Sequence, residues 1–397
     1  MRRRTLATIA LALVLPGCGT GGGDGAAFDG SGDETKAPPV LGRPAESQNA
    51  EALGFPGFAT KNTTRVGGSD PVADAAAVAR AVYPGLNAAT RPSAVVIVDV
   101  EDWRSAISAS QLMSAPLRAP ILFSREGKLP EASEDALDAL APRGASQAGG
   151  AKVIRIGTAA AKAEGLKTTD LAGEDHVALA RAIDRLAGSA ADEPSDRVIL
   201  APADAPAYAM VAAGLAARTG APVLWTKQNS LPAGTRQVLA ARQEPTIYII
   251  GPPEAVSSRV AEQLSKLGAV RRIEGPDPVR NAIATARFAD GRFGWNVVDP
   301  GHGLVFASSE RPADAAAAAP LSASGTYGPL LLIPSAKALP RPLESYLLDI
   351  QPGYDKDPVR GVYNHGWIMG DDEAVSVTVQ ARIDALLEIQ PVDAPSP

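Results

Sequence analysis

Ala221-Pro-Val-Leu-Trp-Thr226, followed by Leu231-Pro232, Thr246-Ile-Tyr-Ile-Ile-Gly251 and Glu254-Ala-Val-Ser257, decides how this chain folds. Both apolar runs are short, continuous and rich in β-branched or aromatic residues, which is the pattern of a strand buried on both faces. Leu231-Pro232 sets a proline near the first position of a following helix, where its missing N–H costs nothing. Val256, Val260 and Leu264 share one face of a last helix between Ala255 and Leu267. Upstream, Val177, Leu179, Ala180, Ile183 and Leu186 follow helical spacing from Asp175, Arg197-Val-Ile-Leu-Ala reads as another buried strand, and Tyr208 to Arg218 is an alanine-rich helix stopped by Thr219-Gly220. Strands alternating with helices, with no polar face on the strands, define a small doubly wound α/β unit with a parallel sheet.

The same order of signals occurs three times, at a period of about 105 residues. A Gly-x-Asp opens each copy at Gly68-Ser-Asp70, Gly173-Glu-Asp175 and Gly275-Pro-Asp277. The small-residue-Pro strand recurs as APILFS from Ala119, APVLWT from Ala221 and GPLLLIPS from Gly328, running on to Leu129-Pro130, Leu231-Pro232 and Leu339-Pro340. A strand closed by glycine recurs at Gly157, Gly251 and Gly370. Three tandem Rossmann-like parallel-sheet domains are therefore expected, in a pseudo-threefold disc if equivalent surfaces form equivalent contacts, or else in a linear array.

These signatures resemble the cell wall-binding repeat 2 family, whose copies come in threes. The likeness covers almost everything after residue 60 and is strongest from Ala209 to Ser257, with Asp314-Ala-Ala-Ala-Ala-Ala-Pro320-Leu321 supplying the helix motif of the third copy. The resemblance implies a trimer of Toprim-like α/β domains that binds anionic wall polymers non-covalently. The chain also departs from the family pattern. The arginine five residues before the Gly-x-Asp aspartate is present as Arg65 and Arg272 but is Asp170 in the second copy. The Arg-Tyr after the aspartate is Pro71-Val72, His176-Val177 and Pro278-Val279. The first copy lacks a full last helix after Gly157, and the third carries an insertion from Gly353 to Gly366.

Arg2 to Arg4, the apolar run Leu6 to Leu15 and then Leu15-Pro16-Gly17-Cys18 have the form of a lipoprotein signal peptide, 1–17, too short in its apolar part to span a bilayer. Cys18 is the only cysteine, so it has no internal disulfide partner and is the expected lipidation site. Residues 18–60 are Gly-, Ala-, Asp-, Ser- and Pro-rich and read as a flexible tether. Repeats are expected over 61–166, 167–269 and 270–390, with a tail at 391–397. A formal net charge of -6 gives no overall field for nucleic acid, so membrane contact is expected through the lipid alone.

Anion binding must then be local. Ser124 with Arg125 and Lys128, Thr226 with Lys227, and Ser335 with Lys337 each follow a strand and precede a Leu-Pro helix, where free N–H groups and the helix dipole favour phosphate or carboxylate. Three such seats on one body would hold a repeating polymer, an anionic wall glycopolymer or peptidoglycan, by avidity. The same hydroxyls could equally cap those helices, leaving the cations as solvated charge. Arg65 and Arg272 are candidates for added anion contacts, or, as structural residues, for pairing with Asp70 and Asp277 or covering a domain seam. The Gly-x-Asp itself reads as a turn with glycine at positive φ and a capping aspartate.

Asp99, Glu101 and Asp102 would suit a divalent ion, but the other copies do not repeat them, and His176, His302 and His365 occupy unrelated repeat positions. No cofactor, metal or catalytic residue is expected. A solute-binding or scaffold lipoprotein and a metal-dependent phosphoryl-transfer enzyme are the alternative functions. Trp295 and Trp367, in looser sequence, are better candidates for sugar stacking than Trp225, which continues an apolar strand.

Overall fold

The computed structural model of the chain describes residues 58–392, apart from 324 and 326. The signal peptide, Cys18, most of the tether and the end of the tail lie outside the described residues. The described chain is mixed α/β and built on three parallel sheets with the same strand order. In the first sheet that order is Ile121–Ser124, Val95–Asp99, Val153–Ile156, Thr168–Leu171. In the second it is Val223–Thr226, Arg197–Pro202, Thr246–Ile250, Ala269–Ile273. In the third it is Leu330–Ile333, Gly303–Ser308, His365–Met369, Thr63–Val66, with the short antiparallel strand Phe58–Ala59 on the outer edge. Central strands such as Val95–Asp99 are buried throughout, as continuous apolar runs require.

The fourth strand of every sheet comes from the start of the next repeat. Thr168–Leu171 and Ala269–Ile273 add to the first and second sheets, and Thr63–Val66, some 300 residues earlier in the chain, adds beside His365–Met369 in the third. The helix that follows each of these strands crosses to the next unit. Pro71–Val82 packs on Ile121–Ser124 and Glu131–Leu140, His176–Ala190 on Val223–Thr226 and Ala233–Ala240, and Pro278–Arg287 on Leu330–Ile333 and Arg341–Asp349. Strand exchange thus runs around the three units and closes on itself.

The Gly-x-Asp motif is the crossing point. Asp70, Asp175 and Asp277 cap the crossing helices, accepting from the N–H groups of Ala73, Ala178 and Arg280 at 3.0, 2.8 and 2.8 Å. Its glycines do not take the positive φ that the sequence suggested. They are required by close approach: a Cβ would lie 2.7 Å from Ala73 Cβ at Gly68, 2.8 Å from the Leu179 nitrogen at Gly173 and 2.3 Å from the Asn281 nitrogen at Gly275. Positive φ belongs instead to the strand-closing glycines Gly157, Gly251 and Gly370.

Between the sheets, the alanine-rich helices Trp103–Ala109, Val211–Thr219 and Ala313–Ala317 each touch the other two. Ala106, Ala109, Ala212, Ala213, Ala216, Ala315 and Ala316 are buried there, and small side chains let helix axes approach closely. Gly214 faces Ser322 of the third repeat, whose Oγ would sit 2.9 Å from an added Cβ.

Arg65 locks the exchanged strand of the third sheet. It is 8% exposed, and its guanidinium donates to the carbonyls of Gly370, Asp371 and Val375 and to Gln380 Oε1. Arg65→Ala leaves those buried acceptors unpaired and should cost about 3 kcal/mol or more. Arg155→Ala, at a more exposed clamp described below, should cost about 1 kcal/mol or less. Urea unfolding of the two variants beside the wild type checks the ranking, and equal losses would remove Arg65 as the lock.

Candidate functional site

Arg65 and Arg272 do not pair with Asp70 and Asp277. Arg272 donates to the carbonyls of Gly251 and Val256 at 2.7 and 2.9 Å, the counterparts of Gly370 and Val375. Both guanidinium groups therefore tie an exchanged strand to the loop after the strand-closing glycine. The aspartates find other cations, Arg125 for Asp70 and Arg280 for Asp277. In the first sheet the position of Arg65 and Arg272 is held by Asp170, and the arginine has moved to its cross-strand neighbour. Arg155, in register with Asp170, donates to Asp170 Oδ1 at 2.7 Å and to the Ala160 carbonyl. This inversion was readable as a single arginine in VIRIG where IYIIG and GWIMG carry isoleucine.

The three loops proposed for anions follow the carboxyl ends of the parallel strands, the usual ligand side of such sheets. Their hydroxyls are internal. Ser124 Oγ accepts from the Ala161 N–H at 3.1 Å and Thr226 Oγ1 donates to the Lys227 and Ser230 carbonyls at 3.0 and 3.1 Å. Neither caps the following helix. Those helices start at Pro130, Pro232 and Pro340 with no side-chain cap. Ser133 and Thr235, inside the helices, tie them to the strands by donating to the Phe123 and Trp225 carbonyls, each at 2.7 Å. The third loop is out of register with the other two. Strand pairing puts Ile333 where Ser124 and Thr226 stand, so Ser335 lies two residues further on, exposed, accepting from the Lys337 N–H. The strand ends in Ile333 and is followed by Pro334, so no hydroxyl stands at its end.

Lys128, Lys227 and Lys337 are exposed beside these three helix starts. Arg125 is partly committed, since it lies 2.6 Å from Asp70 Oδ2. Partial burial raises the Asp70 carboxyl, but the Ala73 N–H and the Arg125 guanidinium outweigh it and hold the group below the ordinary aspartate range.

Two carboxylates of the acidic trio, those of Asp99 and Asp102, are used within the backbone turn and helix cap. Asp99 Oδ1 accepts from the Glu101 N–H at 3.1 Å and Asp102 caps the helix at Ser105. Among the described residues no group of three or more His, Cys, Asp or Glu side chains is placed to hold a metal ion. Trp295, expected as a sugar platform, is 6% exposed and lies under the Arg218 guanidinium, 4.7 Å from its ring centre. Trp367 is half-buried against His365. Trp225 is fully buried, donates to Ser108 Oγ at 2.8 Å and meets Trp103 edge-on at the boundary of the first two units.

The boundary of the third and first units holds a cluster that no spacing argument found. Arg311 is bonded to Asp74 and lies 2.9 Å from Asp314 Oδ2, with both carboxylates fully buried. One cation serves two buried acids. Burial raises both carboxyls and the neighbouring Asp314 charge raises Asp74 further. Asp74 is driven well above the usual range, and Asp314 to about 6 although Arg311 opposes its shift.

The comparisons with known proteins can be set beside this geometry. Residues 170–261 and 272–380, just over half of the chain, match the cell wall binding domain 2 family, and the chain belongs to that family. It is similar to the N-acetylmuramoyl-L-alanine amidase LytC of Bacillus subtilis, with 27% identity over 222 residues, 55% of this chain and 41% of the amidase. Among solved structures it is similar in fold to Cwp6 from Clostridium difficile, with a TM-score of 0.66 and 21% identity, covering 82% of this chain and 48% of Cwp6. Cwp8 from the same organism gives a TM-score of 0.62 and 18% identity, covering 86% of this chain and 54% of Cwp8. The chain thus spans about half or less of the length of these relatives.

A raised carboxyl pKa means that the folded protein holds a proton which the unfolded chain has released. The stability tied to the Asp74–Asp314 cluster is therefore present below about pH 4 and is lost as pH rises to about 6. Asp74→Asn keeps the acceptor for the Gly68 N–H, as Asn281 does for Gly275 in the third repeat, while removing one charge. The variant should match the wild type at pH 4 and exceed it at pH 7. Thermal unfolding at the two pH values checks this; an equal difference at both would separate the cluster from the pH dependence.

Proposed function

We propose that this chain is a cell-surface lipoprotein, anchored through Cys18, that binds anionic cell-wall polymer non-covalently through the repeated loops that follow Ser124, Thr226 and Ile333. The observation that carries the reading is the recurrence, in a member of the cell wall binding domain 2 family, of an uncapped helix start beside an exposed lysine: Pro130 with Lys128, Pro232 with Lys227, Pro340 with Lys337. Amino-terminal helix N–H groups and the helix dipole attract phosphate or carboxylate, and the lysine adds a full charge. Each seat is weak alone. Three on one body raise the effective concentration for a repeating polymer, which is the physical advantage of triplication.

In this reading the three units are Toprim-like or Rossmann-like domains over repeats 61–166, 167–269 and 270–390, set about a pseudo-threefold axis. The shared strand order and the mutual packing of the three alanine-rich helices support that arrangement. The first unit, which lies outside the two stretches that match the family, is read as one more copy of the repeat. Arg65 and Arg272 serve the fold, and Lys128, Lys227 and Lys337 serve the polymer, with Arg125 assisting where Asp70 releases it. Binding rather than catalysis is the role, because the carboxylates nearest a strand end are already used as caps and turn acceptors. The likeness to LytC carries no amidase activity to this chain, which covers 41% of that enzyme.

The test is co-sedimentation of the unlipidated Cys18→Ser chain with purified sacculi, before and after the wall glycopolymers are stripped. Binding should weaken with salt and fall by about tenfold in Lys128→Ala/Lys227→Ala/Lys337→Ala, a loss of about 0.5 kcal/mol at each seat. Binding that survives stripping would move the ligand to peptidoglycan. An unchanged affinity in the triple variant would remove these loops from the interface, and no binding at low salt would end the wall-polymer reading.

A further inference from the structure

The first unit differs from the other two in one respect that bears on ligand choice. Its Gly157 strand is not followed by a helix like Ser258–Leu264 or Val377–Leu387, and residues 158–167 have no helix or strand. In the other units that last helix is held by the helix behind Leu-Pro: Arg236 donates to Gln263, and Glu344 is bonded to Arg382. Glu134 is the first-unit counterpart of Arg236 and Glu344, four residues after the same proline. With the last helix missing, Glu134 lines an open groove of about 640 Å³ between Glu131–Leu140 and residues 161–166.

The groove is not an apolar socket waiting for a helix. Ala160, Ala161, Ala163 and Leu137 are already buried, so the sheet is covered. The walls are charged and exposed, with Lys128 and Lys162 as cations and Glu134, Asp138 and Glu164 as anions. None of the five is held in an ion pair with another described residue. Lys128 belongs both to this groove and to the first anion loop, and Ala161 is fixed there by its bond to Ser124 Oγ. The groove therefore continues the loop at the carboxyl end of the sheet.

We infer that this groove is a subsite for a zwitterionic segment of the wall polymer, one that carries an ammonium group next to its phosphate or carboxylate. The anion lies towards Lys128 and Lys162, and the ammonium meets Glu134 and Asp138, which accept charge-assisted hydrogen bonds from it. The subsite rests on the wall-polymer reading above and refines it: the second and third units, whose last helices fill this space, recognise the anion alone.

The experiment compares native sacculi with sacculi whose free amines have been N-acetylated, using the unlipidated full chain and its Glu134→Gln/Asp138→Asn variant. Both substitutions are on exposed positions, and thermal unfolding confirms that the variant is folded. Acetylation should weaken wild-type binding by about threefold, the equivalent of one or two exposed ion pairs, and leave the variant unaffected. Lys162→Ala should weaken binding to both polymers equally. If acetylation leaves the wild type unchanged, or weakens the wild type and the Glu134→Gln/Asp138→Asn variant alike, the subsite is overturned while polymer binding stands. If the wild type binds neither preparation, the wall-polymer reading fails and the subsite with it.

Discussion

The exchange of one strand between successive units is the constraint on which the rest of the structure depends. A three-stranded parallel sheet would leave its apolar third strand as an unpaired edge, and each unit covers that strand with the first strand of the next repeat, which in the first two sheets is more exposed and forms the new edge. Because the third unit takes Thr63–Val66, the chain closes on itself and a strand from the start of the described chain shares a sheet with strands of the last repeat. The crossing helix must then leave one sheet and land on another within a few residues. This is why a Gly-x-Asp stands at each crossing: the glycine lets the helix backbone approach, and the aspartate caps it.

Equivalent boundaries are built from different chemistry. Between the first and second units Trp103 and Trp225 meet edge-on, with Ser108 bridging to the indole. Between the second and third, Tyr208 Oη donates to the Pro276 carbonyl. Between the third and first, Arg311 lies among Asp74 and Asp314. Near-identical units joined by near-identical surfaces could assemble in the wrong order, and dissimilar contacts discriminate against that. The buried ionic boundary carries an unbalanced charge, and is for that reason the one most sensitive to protonation.

Strand exchange also bears on function. The loops after Ser124, Thr226 and Ile333 follow the carboxyl ends of their parallel sheets, so the proposed anion seats would belong to one body. The arginines that looked available for ligand are consumed in holding the exchanged strands, whereas the lysines, which have few internal partners, remain at the surface. In the first unit, which lacks the last helix, an open groove lies beside its loop.

The sequence by itself determined the α/β class, the parallel strands, the threefold recurrence of the signals and the capping role of the Gly-x-Asp aspartates. All of these follow from periodicity and turn chemistry within about 20 residues, where local sterics and burial decide. It also placed the candidate loops, since a strand end followed by Leu-Pro is a local signal. The tertiary structure alone decided which sheet each first strand joins, because strand partners are chosen by packing between residues up to 300 apart. The same reason underlies the other reversals. Arg65 and Arg272 face carbonyls of a preceding unit that no spacing within their own repeat could reveal. Trp295 is buried by Arg218 of another repeat. Ser335, by contrast, was already out of register in the sequence: four residues past Pro329 stands Ile333, where Ser124 and Thr226 stand past Pro120 and Pro222, and the strand pairing agrees.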